Sequence, residues 1–253
     1  MKLDGSISAV VTGGASGLGA RVSTQLRDLG CKVAIFDLDE DHGTALAAEI
    51  GATFVLADVT DSQSVSDALF KARAENGQER ICINCAGIAP AAKTVSRGAA
   101  HDLALFQKVI NINLIGSFNV ASQSAAGMVG VDPIGEERGV IIHTASIAAY
   151  EGQIGQVAYA ASKGGIVGLT LPMARDLARD GVRVMAIAPG IFGTPMVTSM
   201  SPDIQDGLAA GIPFPQRLGD PNEFAKLAVH IVDNAFLNGS VIRLDGASRL
   251  PPK

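Results

Sequence analysis

The stretch S-A-V-V-T-G-G-A-S-G-L-G, residues 8–19, decides how this chain folds. Residues 8–11 are an apolar run of strand length, after which the period changes. Leu18, Val22, Leu26 and Leu29 fall at i, i+4, i+8 and i+11, one stripe of a helix. Gly30 then stands where a helix C-terminal glycine belongs. Strand, glycine turn and helix in that order place Gly13, Gly17 and Gly19 where the backbone turns tightly and can approach a pyrophosphate. Ser16 and Leu18 lie at the helix N-terminus, whose free N–H groups and positive dipole end hold an anion. Asp37 closes the next apolar run, 32–36, eighteen residues after Gly19. A carboxylate there accepts both adenosine ribose hydroxyls and repels a ribose phosphate. No Lys or Arg lies within residues 12–19 to attract one, so the pattern selects NAD over NADP.

A second constellation stands downstream. Tyr159 and Lys163 are four apart in Y-A-A-S-K and so share one helix face. Ser146 lies thirteen residues before the tyrosine, at the end of the apolar run 139–145. An unperturbed phenol titrates near ~10, and a neighbouring positive charge favours phenolate. The expectation is that Lys163 lowers the Tyr159 pKa and makes it an acid/base working near neutral pH.

Elements alternate along the whole chain. Strands are expected at 8–11, 32–36, 53–57, 81–84, 139–145, 182–188 and 240–244. Helices are expected near 17–29, 39–50, 62–74, 105–127, 156–178 and 221–233. That order implies an α/β fold, a doubly wound and mostly parallel seven-stranded sheet with helices on both faces, in a single domain spanning 1–253. Two segments break the rhythm: 88–103, polar and alanine-rich, and 191–219, rich in Gly and Pro with one short helical candidate at 202–210. Both follow strand carboxyl ends, where ligands bind in such sheets, and the second reads as a substrate lid.

From end to end the chain resembles the short-chain dehydrogenase/reductases. The motifs that carry the resemblance are T-G-x-x-x-G-x-G at 12–19, N-x-A-G at 84–87, Asn113, Ser146, Tyr159, Lys163 and the P-G turn Pro189-Gly190. Within that family, N-C-A-G-I (84–88), I-A-P-G-I-F-G-T-P (187–195), P-F-P-Q-R-L-G-D-P (213–221) and F-L-N-G-S-V-I-R-L-D-G-A (236–247) resemble the type 2 3-hydroxyacyl-CoA dehydrogenases, also described as type 10 17β-hydroxysteroid dehydrogenases. The resemblance implies a Rossmann-like fold and an NAD-dependent exchange between a secondary alcohol and a ketone, on a (3S)-3-hydroxyacyl-CoA or, second, a hydroxysteroid. It implies Tyr159 as proton acceptor and donor, with Lys163 also binding the nicotinamide ribose. Ser146 would hold the substrate oxygen, and Asn113 a water linking Lys163 to solvent. It places Asp58 and Val59 at the adenine, and Cys85, Ala86 and Gly87 along the cofactor. Thr194 falls at the carboxamide or pyrophosphate, and Phe192 near the nicotinamide ring. Gln153, Gln156 and Met196 are expected to line an apolar substrate pocket. Rival readings are an NADP-dependent 3-oxoacyl-carrier-protein reductase, opposed by Asp37, and a non-enzymatic nucleotide-binding regulator, opposed by the complete catalytic set.

Bulk properties narrow the classes further. A net charge of −5 and a pI near 5.3 argue against nucleic acid as a partner. No run of eighteen apolar residues appears, so no membrane span is expected, and no targeting signature precedes the first strand. Three cysteines suit a reducing compartment, and the reading is cytoplasmic. Cys82 and Cys85 form C-x-x-C, but three apart on a strand means opposite faces, and no metal site is expected. Ala121, Ala125 and Ala126 on one long helix, with Gly164, Gly165 and Gly168 on another, suggest close helix approach. The family resemblance makes that approach a two-fold interface of a homotetramer.

Overall fold

A computed structural model describes residues 1–252. The chain alternates strand and helix. The first half runs β1 (Ser8–Thr12), α1 (Gly17–Asp28), β2 (Lys32–Asp37), α2 (Glu40–Ile50), β3 (Thr53–Leu56), α3 (Ser62–Asn76) and β4 (Ile81–Asn84). A small hairpin follows, β5 (Val95–Ser96) and β6 (Ala99–Ala100), and then α4 (Leu103–Ile110), a π-helical turn (Asn111–Gly116) and α5 (Ser117–Met128). The second half holds β7 (Gly139–Thr144), α6 (Ala148–Glu151), α7 (Val157–Asp176), β8 (Val182–Pro189), α8 (Pro195–Thr198), α9 (Pro202–Ala210), α10 (Pro221–Asp233) and β9 (Val241–Leu244).

Seven strands form one sheet in the order β3-β2-β1-β4-β7-β8-β9, and every pairing is parallel. This is the doubly wound, Rossmann-like α/β architecture that the alternation predicts. The central strands read as unbroken apolar runs because both faces are covered. Ala9 and Val11 pack with Val22 and Leu26 of α1 and Phe224 and Ile231 of α10. Val10, between them, turns to the other face with Leu69 of α3 and Val120 and Met128 of α5. Consecutive strand residues thus feed two separate cores.

The chain winds outward from β1 through β2 to β3, then returns to place β4 on β1's other side. Such a switch point leaves a crevice beyond the carboxyl ends of β1 and β4, where ligands bind in open α/β sheets. Two connections frame it. The segment 191–219, the expected lid, leaves and re-enters at one neck: the Gly219 amide donates to the Ile191 carbonyl and the Gly193 amide to that of Gly219, both at 2.9 Å. The hairpin β5–β6 lies within the excursion 88–103 and has no strong strand signature in its sequence.

No membrane span is expected from the sequence, and one helical stretch passes the test of length and composition alone. The continuous helical stretch Leu103–Met128 has the length and apolarity to cross a membrane, with a mean hydropathy of 1.2 over eighteen residues. Val109, Val120 and Met128 on its inner side are fully buried together with Asn113 and Ser124, while Leu103, Ile115 and Phe118 stay exposed.

Candidate functional site

The glycine turn is built by close approach. Gly13 has φ +60° and Gly17 φ +54°, left-handed values that side chains resist. A Cβ on Gly13 would lie 2.7 Å from the Ala86 nitrogen, so the turn after β1 presses on the turn after β4. Two hydrogen bonds tie them: the Cys85 amide to the Thr12 carbonyl at 3.1 Å, and the Ala86 amide to Thr12 Oγ1 at 3.2 Å.

The N-terminus of α1 stands open at this turn. Ser16, its N-cap, makes no side-chain hydrogen bond to the helix and is exposed, and no acid occupies the first turn. Asp39, Asp61, Asp102 and Asp220 cap α2, α3, α4 and α10 through backbone N–H bonds. Unmet N–H groups with the positive end of a helix suit a phosphate. Thr194, the N-cap of α8, has its Cβ and Cγ2 3.5 Å from where a Cβ of Gly17 would stand, so it faces the same opening. Asp37 ends β2 beside it. Its Oδ2 accepts from the Ala15 amide at 3.0 Å, and its Oδ1 from Leu38 and Asp39 amides at 2.8 and 3.2 Å. Further along the sheet, Asp58 Oδ1 accepts from the Thr60 amide and hydroxyl at 2.9 and 2.7 Å. Val59 is buried against Gly116. These donors and acceptors, in this order along the strand ends, fit a dinucleotide. A nicotinamide dinucleotide, when bound, would supply a hydride acceptor.

Ser146, Tyr159 and Lys163 converge across β7 and α7. Ser146, whose Oγ accepts from the Ala148 amide at 3.1 Å, stands near enough to the Tyr159 phenol to oppose the effect of its burial. The Lys163 ammonium stands 5.8 Å from the Tyr159 ring centroid and donates to the Thr144 carbonyl at 2.6 Å. Gly87 closes the floor: a Cβ there would sit 3.2 Å from Asn113 Oδ1 and 3.7 Å from Lys163 Nζ. Pro189 and Gly190 complete the rim. The Pro189 carbonyl accepts from the Ile147 amide at 3.1 Å, and the Gly190 amide donates to the Leu244 carbonyl at 2.9 Å.

One expectation needs correction, and two residues are held in ways that spacing does not show. The Tyr159 pKa is raised, not lowered, because burial of the phenolate outweighs the opposing Ser146 hydrogen bond. Lys163 is itself brought from 10.5 down to about 8 by burial. The Asn113 amide is fully engaged: Oδ1 accepts from the Ile88 amide at 2.8 Å, while Nδ2 donates to the Ile88 carbonyl at 2.9 Å and Ser162 Oγ at 3.0 Å. Its side chain therefore anchors the strand-to-loop turn to α7. The π turn at Asn111–Gly116 widens the helix and turns Asn113 inward. Finally, the Phe192 ring is 6% exposed and packs edge-on against Phe224 at 6.4 Å, in the core below the cleft.

Gln153 and Gln156 line a cavity of about 420 Å³, together with Lys93, Thr94 and Ala160, the neighbour of Tyr159. Met196 lies on α8 and is half exposed, outside that lining. Cys82 belongs to one core and Cys85 packs on the other, and burial raises their thiols to about 12 and about 11. They do not face each other.

Sequence reasoning passed over Ser162, which bridges Asn113 and the Tyr159 carbonyl (2.7 Å). A small polar residue on the inward side of an apolar helix was the available signal. His143 is a second polar residue that sequence reasoning leaves aside. This residue is fully buried, lies 3.4 Å through Nδ1 from Asn84 Nδ2, and has no partner for Nε2 among the described residues.

Comparison with known proteins follows from this geometry. A family model described as short chain dehydrogenase matches residues 8–205. The chain is 52% identical over 249 residues to a 3-hydroxyacyl-CoA dehydrogenase type-2 of Bos taurus, covering 96% of this chain and 95% of that one. It is 31% identical over 254 residues to a 3-oxoacyl-[acyl-carrier-protein] reductase of Thermotoga maritima, covering 97% and 98%. The crystal structure of a 3-hydroxyacyl-CoA dehydrogenase type-2 from Mycobacterium avium superimposes with a TM-score of 0.95 at 44% identity over the full length of both chains.

Proposed function

The chain belongs to the short chain dehydrogenase family of oxidoreductases, and from that premise we propose that it is an NAD-dependent enzyme interconverting (3S)-3-hydroxyacyl-CoA and 3-oxoacyl-CoA. The observation that carries the chemistry is the meeting of the Ser146 hydroxyl, the Tyr159 phenol and the Lys163 ammonium beside an uncapped helix N-terminus. Tyr159 transfers the proton of the substrate hydroxyl. Ser146 donates to the substrate oxygen and stabilises its developing charge. Lys163, held on the Thr144 carbonyl, keeps a positive charge beside the phenol below pH ~8. Asp37 supports the choice of NAD, since its carboxylate stands at the end of β2 where a ribose phosphate would have to sit.

What supports the acyl-CoA class is identity of about half the residues, over nearly the whole chain, with proteins of that name. A steady-state screen of 3-hydroxyacyl-CoA, hydroxysteroid and simple alcohol substrates with NAD and NADP tests the reading. Turnover of 3-hydroxybutyryl-CoA with NAD is expected to lead, and a preference for NADP or for the steroid would overturn it. The segment 191–219 is read as the lid over the substrate. A homotetramer is also proposed: Gly164 and Gly168 face open space on α7, and Ile115 and Phe118 are half exposed on the neighbouring helix. Light scattering at micromolar protein checks this, and an active monomer rejects it.

A further inference from the structure

Between Ser146 and Tyr159 the chain makes a detour, α6 and the loop 152–156, and distant segments hold this detour in place. Glu151, the last residue of α6, forms a two-pronged pair with Arg243 of β9 (Nη1 to Oε1 2.8 Å, Nη2 to Oε2 2.9 Å). Arg243 also donates from Nε to Asp245 at 2.7 Å and from Nη2 to the Ser248 carbonyl at 3.2 Å, which fixes the start of the C-terminal segment. That segment then crosses the loop. Gln153 Nε2 donates to the Pro251 carbonyl and the Ile154 amide to the Pro252 carbonyl, each at 3.1 Å. From the opposite side, the Ala92 amide donates to the Gly155 carbonyl at 2.8 Å. Within the loop, the Gln153 amide donates to Gln156 Oε1 at 3.0 Å.

This loop lines the 420 Å³ cavity, whose wall ends on α7 at Val157 and Ala160, on either side of Tyr159 in sequence. A loop of this length with Gly152 and Gly155 samples many backbone states on its own, and each fixed residue costs roughly 1–2 kcal/mol of entropy. The pair at Arg243 and the two prolyl carbonyls remove that freedom from outside the loop. Tyr159 and Lys163 lie on α7, which the sheet holds independently.

We propose that the C-terminal segment, anchored through Arg243, is a positioning element for the substrate wall at 152–156, so that it sets recognition of the substrate without setting the rate of proton transfer. The proposal rests on the reading that this cavity receives the substrate. Its carriers are Arg243, as a positioning residue acting through Glu151, and the carbonyls of Pro251 and Pro252.

Three proteins test it against the full chain: one ending at Leu250, one ending at Pro252, and Arg243→Lys, which keeps the charge and loses the two-pronged geometry. Hydrogen exchange of the peptide covering 152–157 is expected to quicken in the chain ending at Leu250 and in Arg243→Lys, and to stay unchanged in the chain ending at Pro252. In the first two, KM for the alcohol substrate is expected to rise about five- to tenfold, the scale of one or two lost hydrogen bonds. Their kcat, KM for NAD and melting temperature are expected to stay near those of the full chain. Unchanged exchange at 152–157 after removal of 251–253 overturns the proposal, as does a fall in kcat or melting temperature that parallels the change in KM. If the full chain oxidises neither a hydroxyacyl-CoA nor a hydroxysteroid, the functional reading fails, and the exchange comparison still decides this one.

Discussion

Two helices packed side by side on one face of the sheet begin in opposite ways. Helix α10 starts with a complete capping box: Asp220 accepts from its first turn, and the Glu223 carboxylate accepts from the Asp220 amide at 2.9 Å. Helix α1 starts with nothing, its N-cap Ser16 exposed and unbonded. A folding argument alone would cap both, since four N–H groups are left over at every helix start. The difference separates parts that satisfy their own polar groups from parts that leave them open for something else. The first kind holds the fold, and the second is left free to meet a ligand. Changes in the first are expected to alter stability and spare chemistry, and changes in the second to do the reverse.

The sharpest test lies at an open group. Tyr159→Phe keeps the ring and removes the transferable proton, and turnover is expected to fall by about two to four decades with NAD binding and melting temperature nearly kept. Unchanged turnover in the folded variant would break both the assignment and the comparison. The matching test lies at a closed group. Arg183 is buried, pairs with Glu137 at 2.7 Å, and donates to the carbonyls of Ile231 and Leu237, both at 2.9 Å. Arg183→Ala leaves the buried Glu137 carboxylate with the Met1 ammonium, 2.8 Å from Oε1, as its remaining charged partner, and denaturant unfolding is expected to show a loss of about 3 kcal/mol, the low end for a broken buried pair, with KM unchanged in whatever fraction stays folded.

His143 sits between the two kinds, an open group inside a closed core. Burial brings its pKa from 6.5 down to about 4. The folded state therefore takes up its proton later than the unfolded one, so stability falls as pH drops from 6.5 towards 4. The full loss is about 3 kcal/mol on this basis, and His143→Asn is expected to flatten that slope in denaturant titrations at pH 7 and 4.5. An equal slope in both proteins would place the acid sensitivity elsewhere.

Smaller effects refine the contrast. Asp37→Ala removes a charged acceptor and is expected to weaken NAD by about ten- to a hundredfold while discrimination against NADP relaxes, read by fluorescence titration with each cofactor. Smallest is the helix pair itself. Asp220→Ala is expected to lower stability by about 1 kcal/mol with NAD affinity intact, whereas Ser16→Ala barely moves stability and weakens NAD. A Ser16→Ala loss as large as that of Asp220→Ala would show that the bare N-terminus is capped after all.

How much of this was legible in sequence follows the same divide. The seven strands, the glycine turn, Asp37 and the Ser146, Tyr159 and Lys163 set were readable because each is a local pattern of two or 3.6 residues or a fixed spacing. Strand ends moved by one residue at β1, β2, β3, β7 and β8, and the start of β9 by one, where the end residue pairs or frays according to its neighbour strand. The hairpin β5–β6 was missed because Val95, Ser96, Ala99 and Ala100 alternate weakly and are all exposed. The direction of the Tyr159 shift was misread because spacing gives the neighbour's charge and says nothing of how much water the fold leaves at the phenol. Phe192 was placed by its position in a motif, while its ring answers to Phe224 of α10, thirty-two residues on. Non-local contacts decide such cases.

The neck of the segment 191–219 carries a consequence for how this molecule can change over generations. Its two ends already meet through Ile191 and Gly219, so the span between them is closed whatever its length. Each doubling of a closed flexible loop costs only ~0.6 kcal/mol. Insertions and deletions in the exposed stretches of this span, such as α9, can therefore accumulate while Phe192, Thr194, the sheet and the glycine turn stay where they are. A lineage built on this frame can explore new substrates by drifting in one tethered span, under selection that leaves the rest of the chain untouched.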